Sequence, residues 1–113
     1  MAVVYVVQKQ VMKNERGVFV PMFNLRPAED FGRLEFLLGP QSRPWDSGVV
    51  PMLHEKLRWY SQDDYLLLIG NPCLIGLTTA VASEYSATIN FLQWNGQEKR
   101  YLKVVVNIDE ALP

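Results

Sequence analysis

Five consecutive apolar residues, Tyr65-Leu66-Leu67-Leu68-Ile69, run directly into Gly70-Asn71-Pro72. An apolar run without alternation is what a strand buried on both faces carries. Gly-Asn-Pro then supplies a tight turn, an N-cap and a proline at the first helical position. The helix it opens reads from Pro72 to about Tyr85, with Leu74, Leu77, Thr78, Val81 and Tyr85 along one stripe that Ile75 and Ala82 widen. Gly76, Ala80 and Ala82 let its backbone pack closely. Thr88 to Trp94 reads as the next strand, and strand, helix and strand in alternation imply parallel pairing with a right-handed crossover.

The same rhythm holds upstream. Leu34 to Leu38 is a short strand closed by Gly39-Pro40, and Gln41 to Gly48 is a loop by composition. Asp46 or Ser47 is positioned to cap a helix over Val49 to Tyr60, whose Val50, Leu53, Leu57 and Tyr60 fall on one face. Residues 34–94 therefore form a parallel β-α-β-α-β centre. A hairpin is expected on each side of it. The first lies within residues 1–24, with Lys13 to Gly17 as its turn and Pro21 marking an edge or a bulge. The second spans residues 88–108 and turns near Asn95-Gly96, with Leu102, Val104, Val106 and Ile108 sharing a face. Arg26 to Gly32 reads as a single helical turn. The expected fold is one α/β domain over residues 1–113, with a mixed sheet and two main helices. Two helices cover one face of such a sheet well or both poorly, so some sheet is left for contact with another chain.

Charge and residue usage exclude several functions. Eleven Lys and Arg against 12 Asp and Glu give a formal charge of -1, which fits neither a strongly basic nucleic-acid module nor an acidic mimic. Cys73 is the only cysteine and His54 the only histidine, so no intrachain disulfide framework exists and the usual zinc sites are nearly excluded. No metal or cofactor is expected. No apolar run approaches the roughly 20 residues of a membrane helix, and the N-terminus has neither a basic region nor a small-residue cleavage site. The expectation is a cytoplasmic protein with no membrane association.

Ligands of parallel α/β units sit outside the carboxyl ends of the strands. Two loops should emerge there, Gly39 to Gly48 and Gly70 to Cys73. Ser42, Arg43 and Trp45 from the first, with Gly70, Asn71 and Cys73 from the second, are the candidate ligand-binding residues. Neither nucleotide fingerprint, GxGxxG or GxxxxGK[ST], is present, and Gly-Asn-Pro is also simply a good helix start. Cys73 stands where a nucleophilic thiol would, but the only base is His54 on the preceding helix, and packing under the sheet is the favoured reading. No catalytic residue is assigned. Asp63-Asp64 lacks the further acids of a calcium loop. Trp45, Trp94 and Tyr101 are candidate interface residues, since aromatics near turns are enriched at hot spots. Lys99, Arg100 and Lys103 near Trp94 mix cations with aromatics as single-strand binders do, though hairpin edges also carry lysine to block pairing.

Tyr65 to Pro72 with its Ala-containing helix, Phe91-Leu92-Gln93-Trp94, Arg100-Tyr101 and Pro27-Ala28-Glu29-Asp30-Phe31-Gly32 resemble segments of small uncharacterised accessory proteins encoded by tailed bacteriophages. The likeness runs from the first strand through Ile108. The resemblance implies a phage accessory protein acting in the host cytoplasm, and it transfers no catalytic motif. The leading expectation is a non-enzymatic protein that works by protein-protein binding, to a host or phage partner or to itself. A small-ligand or nucleotide-binding domain is the second reading, and a weak single-stranded nucleic-acid binder the third.

Overall fold

The strand that organises the molecule is the first one, β1 (Val3–Gln8), as seen in a computed structural model that describes residues 2–109. Val4, Val6 and Val7 are fully buried and Tyr5 nearly so, a burial on both faces that only a central strand reaches. On one side β1 pairs in parallel with β4 (Arg33–Leu38), and on the other with β5 (Tyr65–Leu67). β5 pairs in parallel with β6 (Thr88–Asn95), and β7 (Arg100–Asn107) closes the sheet antiparallel to β6. The order is β4-β1-β5-β6-β7. The expected C-terminal hairpin is present, and the expected parallel centre is present with one change: β1, read from the sequence as part of a flanking hairpin, inserts between β4 and β5.

The N-terminal hairpin is shorter than its sequence suggests. Only β2 (Val11–Lys13) and β3 (Phe19–Pro21) form it, as a separate two-stranded ribbon. The chain leaves the main sheet after Gln8, and the polar Gln8-Lys9-Gln10 step separates two apolar series that look continuous in sequence.

Both helices, α1 (Val49–Leu57) and α2 (Pro72–Ala82), lie on one face of the sheet. There Leu53, Leu57, Leu74 and Ala82 pack on Tyr5, Val7, Leu37, Leu66 and Ile89. Each fully buried leucine contributes about 2 kcal/mol. The opposite face holds Val4, Val6, Leu67, Leu92 and Tyr101 beneath Ala28, Leu25 and Phe31. Its cover is a 3-10 turn at Arg26–Asp30, the helical turn expected there, with the chain that leads into it.

Several local expectations shift by a residue or a turn. Val49, not Val50, faces the core, because steps of four from Leu57 and Leu53 lead back to Val49; Val50 is exposed. Neither Asp46 nor Ser47 caps α1: the cap position is Gly48, and the Asp46 carboxylate instead accepts the Arg43 backbone N–H at 3.0 Å. α1 ends at Leu57 and α2 at Ala82, leaving Tyr60 buried beyond the first helix and Tyr85 exposed beyond the second.

Burial pushes the Tyr60 phenol up to about 12; the nearby Asn90 backbone opposes that rise and the charge of Asp64 adds to it. The hydroxyl is buried with no hydrogen-bond partner among the described residues. A phenol whose folded value lies above the unfolded value near 10 keeps its full stabilising effect below pH 10. That effect is lost between pH 10 and 12, where only the unfolded chain releases the proton. Wild-type stability should fall by roughly 2–3 kcal/mol across that window. Tyr60→Phe should match or exceed wild type at pH 7 and show a flatter decline, which urea titrations at each pH will measure.

Candidate functional site

The connection leaving β1 crosses one face of the sheet, whereas α2, leaving β5, crosses the other. The carboxyl ends of β1 and β5 therefore flank a topological switch point, the usual ligand crevice of an open α/β sheet. In this molecule the crevice is filled by Gln8. Its side-chain oxygen accepts the Asn71 N–H at 2.9 Å and a Gln10 amide N–H at 3.3 Å. Its nitrogen donates to the carbonyls of Gly39 and Ser42, both at 3.1 Å. Gly70 has φ +133°, and a Cβ there would meet the Gln8 Cβ at 2.6 Å. Gln8 thus ties together the two loops singled out in the sequence.

This places each candidate ligand residue. The Ser42 carbonyl and the Asn71 N–H are turned onto Gln8, and the Cys73 N–H is taken at 2.8 Å by the Asn71 side chain. The first amide of α2, that of Cys73, is thereby engaged internally. Arg43 forms an ion pair with Asp46 at 3.1 Å and lies over the exposed Trp45 ring. Cys73 is exposed, contrary to the packing expected for it, because Leu74, Thr78 and Val81 are the residues that face the sheet. His54 hydrogen-bonds the Tyr85 hydroxyl at 2.7 Å and approaches Glu84 at 3.3 Å. These lie just past the C-terminal end of α2, a helix length of about 16 Å from Cys73. Among the described residues no cluster of His, Cys, Asp or Glu has the makings of a metal site, and no helix is long and apolar enough to cross a membrane.

A second feature, missed in the sequence, lies on the face away from the helices. After β3 the chain returns across the sheet as a strap, Met22 to Leu25, held by the Met22 N–H on the Gln10 carbonyl at 3.0 Å. Met22 and Phe23 remain exposed on this strap. They line two open cavities at once. One, of about 450 Å³, is walled by Val6, Leu34, Phe36 and Ile69. The other, of about 770 Å³, reaches Pro27, Gly70, Trp94 and Tyr101. Trp94 is 47% exposed and meets the buried Tyr101 edge-on, with ring centroids 5.0 Å apart. The Lys9 ammonium lies over the Phe36 ring and that of Lys13 over the exposed Phe19. Of the three candidate interface residues, Trp94 and Tyr101 belong to this surface. Trp45 is exposed in the loop after β4. The cations of the last hairpin are separated from one another: Arg100 pairs with Glu98 at 3.0 Å, and Lys103 lies over Tyr65.

A family model described as phage Pam3 gp32-like protein matches residues 2–108. Neither a curated protein nor a solved structure matches the chain.

Proposed function

The chain belongs to the phage Pam3 gp32-like protein family, and from that premise we propose that it is a non-catalytic accessory protein acting in the host cytoplasm. It docks another protein on the apolar surface around Met22 and Phe23. The observation that carries this reading is the strap itself, which holds two large apolar side chains in the open between two cavities, with Phe36 and Trp94 at their margins. Methionine and aromatic residues are enriched in interface cores, and hot-spot side chains seat in pockets of this kind. The rim carries Lys9, Arg26 and Glu29, with Lys13 on the neighbouring ribbon. Cations outnumber acids there, so the partner segment is apolar with acidic residues beside it.

Two features support binding over chemistry and over a nucleotide site. His54 and Cys73 stand at opposite ends of α2, and the switch-point crevice is filled by Gln8. The test is affinity capture from phage-infected host cells with wild type and with Phe23→Asp. The wild type should retain a partner that Phe23→Asp loses by more than tenfold, as expected when a hot-spot side chain worth at least about 2 kcal/mol is removed. Phe23 is 47% exposed, so the variant should keep the wild-type circular dichroism and melting temperature. Capture of the same proteins by both, or of none by either, would overturn the assignment.

A further inference from the structure

The two edges of the sheet are treated differently. At the β4 edge the Lys56 ammonium donates to the carbonyls of Phe36 and Leu37 at 3.3 and 3.0 Å, and Arg33 and Glu35 place opposite charges along the strand. Charges of this kind keep an edge from pairing with another chain. The β7 edge is guarded less, because its one mid-strand charge, Lys103, lies over the Tyr65 ring rather than across the edge backbone. β7 contains no proline, and its register with β6 is unbroken from Thr88↔Asn107 to Asn95↔Arg100, so no bulge bends it away. The Ile108 N–H bonds the Ala87 carbonyl at 2.8 Å. In an antiparallel ladder this turns the even-numbered residues of β7 toward β6 and the odd-numbered ones outward. The N–H and C=O groups of Tyr101, Lys103, Val105 and Asn107 thus face away from the sheet, and no described residue bonds them. On the helix side, Val104 and Val106 remain exposed beyond the cover of α1 and α2.

We infer that β7 pairs antiparallel with β7 of a second copy of this chain, joining two five-stranded sheets about a two-fold axis. This edge meets the strap surface only at Tyr101, whose side chain lines the strap cavity while its backbone lies on the edge, and the pairing does not depend on what docks at the strap. The sequence of β7 is self-complementary in that arrangement. The strand is preceded by Lys99, while Arg100 is already held by Glu98, and it is followed by Asp109. Antiparallel pairing brings each Lys99 to the other copy's Asp109. Two registers keep most of the strand paired. Centring on Lys103 would set two lysines face to face, which disfavours pairing. Centring on Val104 sets Val104 on its own symmetry mate, Leu102 opposite Val106 and Lys103 opposite Val105, with no like charges opposed. The structure thus points to a β7 dimer centred on Val104, an isologous contact of the kind most homodimers use.

In a Cys73→Ser background, Val104→Cys should form an intermolecular disulfide under mild oxidation. In antiparallel sheets non-hydrogen-bonded pairs sit with Cα atoms about 4.5 Å apart, within disulfide reach. Val106→Cys should form little or none, because its symmetry mate lies about 13 Å along the strand. Sedimentation of wild type should give twice the 13.0 kDa chain mass, and Val104→Lys should sediment as a folded monomer. A wild-type monomer, whether or not another protein occupies the edge, would overturn the proposal. So would a dimer that survives Val104→Lys, or one that crosslinks equally at position 106. Phe23→Asp should leave this dimer intact, so failure here and failure at the strap are distinguishable.

Discussion

Gly70→Ala should destabilise the protein by about 3 kcal/mol or more, with a fall in Tm of roughly 10 °C or beyond. Two independent effects add. The φ of +133° is a conformation that essentially only glycine adopts without strain. The new Cβ would also stand 2.6 Å from the Gln8 Cβ, an atom fixed by the backbone of the central strand. Truncating Gln8 to alanine should therefore not rescue Gly70→Ala, because the clashing atom remains. Gln8→Leu alone should cost about 1–3 kcal/mol, since it removes the buried amide that holds the Asn71 N–H and the carbonyls of Gly39 and Ser42 in a partly buried crevice. Chemical denaturation of the three variants checks this, and a Gly70→Ala protein as stable as wild type would contradict it.

Asp64→Ala should produce a loss of similar size at the other end of the sheet, about 2–4 kcal/mol. The Asp64 side chain is nearly buried and accepts the N–H of Val3 at 2.9 Å, the N–H of Ser61 at 2.9 Å and the Ser61 hydroxyl at 3.3 Å. It fastens the start of β1 to the loop that precedes β5. The Asp64 backbone carbonyl also accepts from the buried Asn90 amide at 2.9 Å, and that amide reaches Gln62 as well, so β6 is tied to the same loop. Removing the carboxylate leaves two N–H groups unpaired near β1. Asp63→Ala, in contrast, touches an exposed side chain and should change stability by less than about 0.5 kcal/mol. Thermal melts of the two alanine variants side by side give the comparison, and equal melting temperatures would rule out this role for Asp64.

The elements after residue 33 were legible in the sequence because local pattern and turn chemistry agree there. The apolar run at Tyr65, the Gly-Asn-Pro helix start and the last hairpin all lie where their residues put them. The place of β1 between β4 and β5 was not legible. Parallel insertion is a non-local pairing that leaves no mark on neighbouring residues, and the β-rich series Val3 to Met12 conceals the exit after Gln8. A glutamine in a valine-rich strand was the one available signal, since a buried amide needs several partners and so marks a junction. The exposure of Cys73 turned on helix phase, where one residue's step of about 100° separates it from the buried Leu74. The strap was hidden for a different reason. Met22 and Phe23 look like the end of a core strand, and only the tertiary path after Pro21 brings them to the surface beside Trp94. Aromatic residues near turns did point to Trp94 and Tyr101, which share that surface.

The docking assignment is tested most directly by site-specific photocrosslinking during infection, with a benzophenone side chain at Phe23 and, as a control, at Gln97 in the β6–β7 turn. An adduct with one other protein is expected at position 23, absent from position 97 and absent without infection if the partner is phage-encoded. No adduct at position 23, or the same adducts from both positions, would contradict it.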